Sequence, residues 1–264
     1  MTRRGALHSL AAVMTDAARP ARKPRVAAVF FDFGGTLFSY RQVGGGTGQV
    51  IRDAVIRLGV QVEPGHVGRA YRAATRDAYL AVQERPYYLH RELFEDTWRR
   101  FARALGAEPR DDWVGWLIDS QLEVVTEQFS LRDDCVATLA ELRASGLRVA
   151  VVSNIDDDYL QPMIARAGLS DLLHHWTSSE EARSCKPDAG IYRYACAKAG
   201  CAPEHVLFVG DSPEQDIAGA RALGMTTVLL REEGAPPPGS GIGTSAVPHH
   251  QITRLSEVLP LALF

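Results

Sequence analysis

Residues 26–38 read V-A-A-V-F-F-D-F-G-G-T-L-F, an apolar run that stops at Asp32 and turns into Gly34-Gly35. Rich in Val and Phe and bounded upstream by Pro24, the run predicts a buried strand of a parallel sheet. A carboxylate at the exit of such a strand is costly unless it is paired, solvated at the sheet edge or bound to a cation. Open α/β sheets place their ligands at the C-terminal ends of their strands. Asp32 is therefore read as a nucleophile or metal ligand rather than a structural cap.

From Asp133 onward, helix and strand patterns alternate, which predicts a parallel α/β sheet. The strands expected are Leu147–Val152, His174–Ser178, Val206–Val209 and Thr226–Leu230. Helices are expected over Val136–Ala144, from Asp156 to Gly168, over Ala189–Ala199, and from Ser212 to Leu223. Ser212 as cap, Pro213 in first position and Gln215 in third make a strong helix start. Asp156 is expected to cap its own helix, with Asp157 and Asp158 in the positive first turn. Residues 232–248, rich in Gly and Pro, read as a mobile loop, and Ser256 reads as the cap of a last short helix.

Between these parts, residues 50–130 carry helical periodicity and no convincing strand. The segments Val50–Leu58, Val67–Val82, His90–Leu105 and Trp113–Phe129 predict four helices, a small bundle inserted after the first strand. Its aromatic and Leu stripes read as bundle core. The glycine cluster in 41–49 lacks the ending of a phosphate-binding P-loop and reads as a flexible hinge. The division expected is an extension over 1–25, an α/β domain over 26–40 and 132–264, and a helical cap over 41–131.

The composition is that of an ordinary globular protein, with 46% hydrophobic and 23% charged residues. A net charge of −3 recommends neither nucleic acid nor an anionic membrane as partner. Cys135, Cys185, Cys196 and Cys201 form no C-x-x-C pair, so zinc and redox motifs are not indicated. No run reaches the length of a membrane-spanning helix, and a cytoplasmic setting is the expectation. Residues 1–25 are rich in Ala and Arg, without a clear cleavage site, and read as a loose extension.

Asp32, Ser153, Lys186 and Asp211 with Asp216 all fall at strand ends or in loops, and strands of a right-handed parallel sheet exit on one edge. Together they offer a carboxylate nucleophile, a hydroxyl donor, a cation and further carboxylates. That set suits phosphoryl transfer, with Mg²⁺ bridging two carboxylates and the phosphoryl oxygens.

The sequence resembles the haloacid dehalogenase superfamily of hydrolases. Asp32-Phe33-Gly34-Gly35-Thr36 is similar to its first motif, D-x-D-x-T, at the first Asp and the Thr. Val152-Ser153-Asn154 matches the second motif, Lys186-Pro187-Asp188 the third, and Gly210-Asp211-Ser212 with Asp216 the fourth. The insert sits where the family's helical C1 caps sit. The resemblance implies a Rossmann-like parallel sheet core, Asp32 as nucleophile, and Mg²⁺ held by Asp32, Asp211 and the backbone carbonyl of Gly34. It also implies that Thr36, Ser153, Asn154 and Lys186 meet the substrate, and that Asp216 supports the lysine and the metal. The substrate implied is a small phosphate monoester, and the protein a monomer or homodimer.

The resemblance departs at position 34. The family's phosphatases carry there a second Asp, the general acid and base, and this chain has Gly34. Cap residues Tyr87, Tyr88, His90 and Arg91 are candidates to replace it. The family's dehalogenases also lack this Asp and work without metal, but their fourth motif, S-x-N-x-x-D, differs from the G-D-S-x-x-x-D here. Phosphonate cleavage through a cap lysine is set aside, since no lysine occurs between Lys23 and Lys186. A catalytically weak binding protein on the same fold is the remaining alternative.

Overall fold

The computed structural model describes residues 26–232 and 246–263. The extension expected over 1–25 and most of the loop expected over 232–248 lie outside the described residues. Strand β1 (Ala28–Phe31) is followed by helices α1 (Tyr40–Leu58), α2 (Pro64–Leu80), α3 (His90–Ala104) and α4 (Asp111–Glu127). Then come α5 (Cys135–Ala144), β2 (Arg148–Ser153), α6 (Asp157–Arg166), β3 (His175–Ser178), the single turn α7 (Ser179–Ala182) and α8 (Ala189–Ala199). The chain closes with β4 (Val206–Gly210), a wide π-type segment at Pro213–Ala218 running into α9 (Gly219–Ala222), β5 (Thr226–Leu230), β6 (His250–Ile252) and α10 (Val258–Leu263). Among the described residues no helix is long and apolar enough to cross a membrane.

The six strands form one parallel sheet in the order β3-β2-β1-β4-β5-β6, the Rossmann-like α/β architecture the sequence implies. The period-two alternation of each strand splits its side chains between two cores. Val29 and Phe31 join Val149, Val151, Leu207 and Val209 on one face. Ala28 and Phe30 join Ala150, Val152, Val206 and Phe208 on the other. Both phenylalanines are fully buried, and each such side chain contributes roughly 1.5–3 kcal/mol by leaving water. β6 escapes the sequence pattern because it is three residues long and shows solvent two of them.

The strand order reverses beside β1, between β2 and β4, and such a switch point opens the crevice where ligands bind. Phe31 is level with Val151 of β2 and Val209 of β4, so Asp32 leaves the sheet between the ends of both neighbours.

The four helices α1–α4 enclose a separate apolar core that includes Ala54, Trp98, Phe101, Leu117 and Ile118. Helix α1 corrects the hinge expected over 41–49, since it runs through the glycine cluster unbroken. At Gly46 a Cβ would come within 2.5 Å of Val124 and overlap Gln128, so the missing side chain lets α1 lie close against α4.

A second correction concerns Asp156. Its backbone stands at the cap position of α6, but its side chain caps nothing there. Instead Oδ1 accepts from His90 N at 2.9 Å and Oδ2 from Arg91 N at 2.7 Å. Helix α3 has no capping side chain at Leu89, its own N-cap. Across the boundary between the sheet and the four-helix segment, Asp156 thus satisfies the first free N–H groups of α3. Burial alone pushes the Asp156 carboxyl up, but the His90 ring and the two N–H donors outweigh it and hold it below its ordinary value. Further ties cross the same boundary: Cys185 N donates to Pro86 O at 2.8 Å, and Gln215 Nε2 to the Tyr79 hydroxyl at 3.3 Å.

At the chain end, the turn Leu255–Glu257 is closed by Glu257, whose Oε1 accepts from Thr253 N and Arg254 N. Ser256, expected as cap, instead donates its N–H to Asp134.

Candidate active site

Asp32 is the first residue beyond β1, and its N–H donates to Val209 O at 2.9 Å. β2 ends at Ser153, whose hydroxyl is 3.4 Å from Asp32 Oδ1. β4 ends at Gly210, with Asp211 next in the chain. Lys186 arrives from the loop between α7 and α8. Asn154 fixes its backbone at both ends, accepting from Lys186 N at 2.6 Å and donating to Lys186 O at 2.8 Å. The amide expected at the substrate is therefore engaged with the lysine.

Lys186 Nζ donates to Asp32 Oδ1 at 2.7 Å and to Asp216 Oδ1 at 2.6 Å. All three side chains are buried. The other oxygen of Asp216 accepts from Ser212 N at 2.9 Å, and Ser212 Oγ caps Gln215 N at 3.2 Å as its sequence predicts. Both oxygens of Asp216 are thus occupied, and its carboxylate holds the lysine in place.

The loop after Asp32 is secured from outside the four motifs. Arg132 Nε donates to Thr36 O at 2.7 Å, and its Nη2 to Gly35 O at 2.6 Å. No sequence signal marks Arg132 for this. Thr36 is fully buried, and its hydroxyl has no hydrogen-bond partner. Gly35 has φ +86°, open to glycine at little cost, and a Cβ there would sit 2.6 Å from Asp211 Cγ. The bare backbone lets Asp211 close onto the loop. At Gly34 a Cβ would overlap the Tyr40 hydroxyl and lie 2.8 Å from Tyr40 Cζ.

One carboxylate oxygen each from Asp32, Asp211 and Asp216 lies within 4.8 Å of the others. Burial, with the neighbouring Asp216, pushes Asp32 up to about 6 against the pull of Lys186. Burial and the charges of Asp32 and Asp216 push Asp211 up to about 8. Burial opposes the charge on Lys186, but Asp216 and Asp32 more than offset it and hold its pKa above the ordinary value. Three carboxylates thus face one ammonium, and Asp211 is the one left with excess negative potential. An all-oxygen donor set with surplus negative charge fits a hard divalent cation such as Mg²⁺. Asp32 and Asp211 would be the residues to hold such a cation, since Asp216 is already bonded through both oxygens.

Of the four candidate residues for proton transfer, two have carboxylate partners of their own. His90 pairs with Asp156 at 3.6 Å, and Arg91 with Asp158 at 3.4 Å. Tyr88 is buried against the His90 ring. The Tyr87 hydroxyl is buried with no hydrogen-bond partner.

A model of the family described as haloacid dehalogenase-like hydrolase matches residues 26–224. The chain belongs to that family. Within the haloacid dehalogenase-like hydrolases it is similar to (S)-2-haloacid dehalogenase 4A of Burkholderia cepacia, 34% identical over 135 residues. That match covers 51% of this chain and only 56% of the Burkholderia protein. Similarity to the ribulose-1,5-bisphosphate 5-phosphatase of Halopiger xanaduensis is 27% over 243 residues, covering 89% of this chain and 98% of that one. A solved structure described as a dehalogenase with intermediate complex superposes with a TM-score of 0.66 at 26% identity, covering 90% and 97% of the two chains. Membership makes the protein a hydrolase, and the relatives' names divide between carbon–halogen and phosphate ester substrates.

Proposed function

We propose that the protein is a Mg²⁺-dependent phosphohydrolase acting on a small phosphate monoester through an aspartyl-phosphate on Asp32. The observation that supports this reading most is Asp211. It lies against the Gly35 backbone, and one of its oxygens is within 4.8 Å of oxygens of Asp32 and Asp216. Burial and the charges of Asp32 and Asp216 push its carboxyl up to about 8, and a divalent cation would relieve that excess of negative charge. When bound, Mg²⁺ would offset charge on the phosphoryl oxygens and on Asp32 and Asp211.

The chain's own groups then act as follows. With a pKa of about 6, Asp32 is mostly ionised at neutral pH and carries a nucleophilic oxygen. That oxygen attacks phosphorus while the bond to the ester oxygen breaks and the leaving alcohol takes up a proton. Lys186 and Ser153, both within hydrogen-bond reach of Asp32, are placed to bind the phosphoryl oxygens. Water then attacks phosphorus, the aspartyl bond breaks, and Asp32 is restored with release of inorganic phosphate. Asn154 and Asp216 keep the lysine in place through both steps.

Haloacid hydrolysis is the second reading. Gly34, which lacks the acid–base carboxylate, and the dehalogenase relatives favour it. There Asp32 would displace halide from carbon and form a carboxylate ester. A panel of phosphate monoesters and 2-haloacids, each with Mg²⁺ or chelator, separates the two. Phosphate release that needs Mg²⁺, with label trapped on Asp32, is expected. Halide release in chelator, without phosphate release, overturns the proposal.

A further inference from the structure

We propose that the Tyr40 hydroxyl is the proton donor to the leaving-group oxygen, acting from the space that the side chain at position 34 leaves open. This deepens the phosphohydrolase reading and rests on it. Position 34 is two residues beyond Asp32 and next to Gly35, whose backbone lies against Asp211. Its backbone lies outside the left-handed region, so an ordinary side chain is conformationally allowed there. What excludes one is Tyr40, whose hydroxyl overlaps the Cβ position and whose Cζ lies 2.8 Å from it. The absence of a side chain at 34 and the presence of a phenol at 40 are two halves of one arrangement.

Tyr40 opens α1, the first cap helix, so its backbone is carried by the cap while its hydroxyl reaches the sheet domain. Its ring meets that of Phe38 edge to face, with centroids 5.5 Å apart. The residue as a whole is 62% exposed, and its hydroxyl is the end turned inward against position 34. A tyrosine phenol is un-ionised at neutral pH and offers one O–H. Tyr40 therefore enters the reaction as a neutral O–H donor.

The step balances without any further reactant. As the ester bond breaks, the Tyr40 O–H bond breaks and its proton passes to the departing alkoxide, a far stronger base than a phenolate. When water attacks the aspartyl-phosphate, the phenolate takes the proton that the water loses, and the phenol is restored. A phenolic leaving group departs without this help, so transfer to Asp32 needs Tyr40 for alkyl esters and much less for aryl esters.

The test compares kcat and KM for an alkyl and an aryl phosphate, and the aryl burst, in wild type, Tyr40→Phe, Gly34→Ala and the double variant Gly34→Asp/Tyr40→Phe. Tyr40→Phe keeps the ring against Phe38, and its melting temperature is measured beside wild type. The expected result is an alkyl kcat lower by about 10²-fold, the low end for acid–base catalysis, with KM and the aryl burst, which reports only transfer to Asp32, little changed. Gly34→Ala, which displaces the hydroxyl but keeps the phenol, should show the same selective loss. The double variant, with a carboxylate in the vacated space, should recover alkyl turnover. Unchanged alkyl kcat in a folded Tyr40→Phe overturns the inference while leaving the phosphohydrolase reading intact. If wild type releases no phosphate and Asp32 takes no label, both fail together, which the wild-type control reveals by itself.

Discussion

Replacing Asp211 with Asn should make the cation-free protein more stable while removing its response to Mg²⁺. One oxygen of Asp211 lies within 4.8 Å of oxygens of Asp32 and Asp216. Two unit charges at that separation repel by about 3.5 kcal/mol at an effective dielectric constant of 20. Lys186 offsets part of this through its bonds to the other two carboxylates. The protein's other recourse is to keep a proton on Asp211, whose pKa is pushed from 3.8 to about 8. Holding at pH 7 a proton that the unfolded chain has lost costs up to about 4 kcal/mol, at about 1.36 kcal/mol per pH unit. Asp211 is more open to solvent than its partners, and screening reduces the figure to about 1–3 kcal/mol.

The sign of the pH dependence follows. A carboxyl whose folded pKa is raised contributes fully below its unfolded value, and that contribution is lost as pH rises toward the folded one. Asp211→Asn should therefore match wild type at or below about pH 4 in chelator, pull ahead as pH rises, and exceed it by about 1–3 kcal/mol at pH 8. Urea unfolding across this range measures the difference directly. Millimolar Mg²⁺ should then stabilise wild type by the binding linkage and the variant far less. Asp211→Asn proving less stable than wild type in chelator at pH 8, or gaining as much from Mg²⁺, would refute the argument.

Asp156→Ala leaves His90 N and Arg91 N without their acceptor, which should cost about 2–3 kcal/mol in urea unfolding and speed hydrogen exchange at those two amides. Because the Asp156 pKa lies below its ordinary value, the gap to wild type should narrow as pH falls below about 4; a gap that widens there contradicts the capping role. Gly210→Ala places a methyl on the Asp216 side chain, which is buried and bonded to Lys186 and Ser212. It should cost about 1–3 kcal/mol through overpacking and lower phosphate turnover with it, and wild-type activity in this variant would show that the lysine does not depend on the position of Asp216.

The sheet was legible because its strands announce themselves by period and composition. Val26–Phe31, Leu147–Val152 and Val206–Val209 are apolar runs that only a strand covered on both faces explains, and each ends at a residue that chemistry would want at a crevice. The parallel order brings those ends together without any long-range signal being read. β6 was not legible, since three residues with two exposed carry no pattern. The glycine cluster misled because propensity is a weak prior. Three consecutive glycines disfavour a helix locally, yet α1 keeps its course because Gly46 permits close packing on Val124 and Gln128.

What stayed hidden has a common physical form. Asp156 carries the signature of an N-cap, and it is one, but the N–H groups it satisfies belong to α3, 66 residues upstream of it. A capping residue's type reports that its oxygen seeks a donor, not which donor comes within reach. Gly34 is the same problem reversed. Read along the chain, it is a missing carboxylate, and the search for a substitute turns to polar residues of the cap. In space it is a gap whose width is set by Tyr40, only six positions later but on a different element. A glycine states what is absent and nothing about what enters. A substitution that deletes a functional group can therefore be interpreted only with its neighbours, and Gly34→Asp alone, set against Tyr40, should restore less than the same change made with Tyr40→Phe.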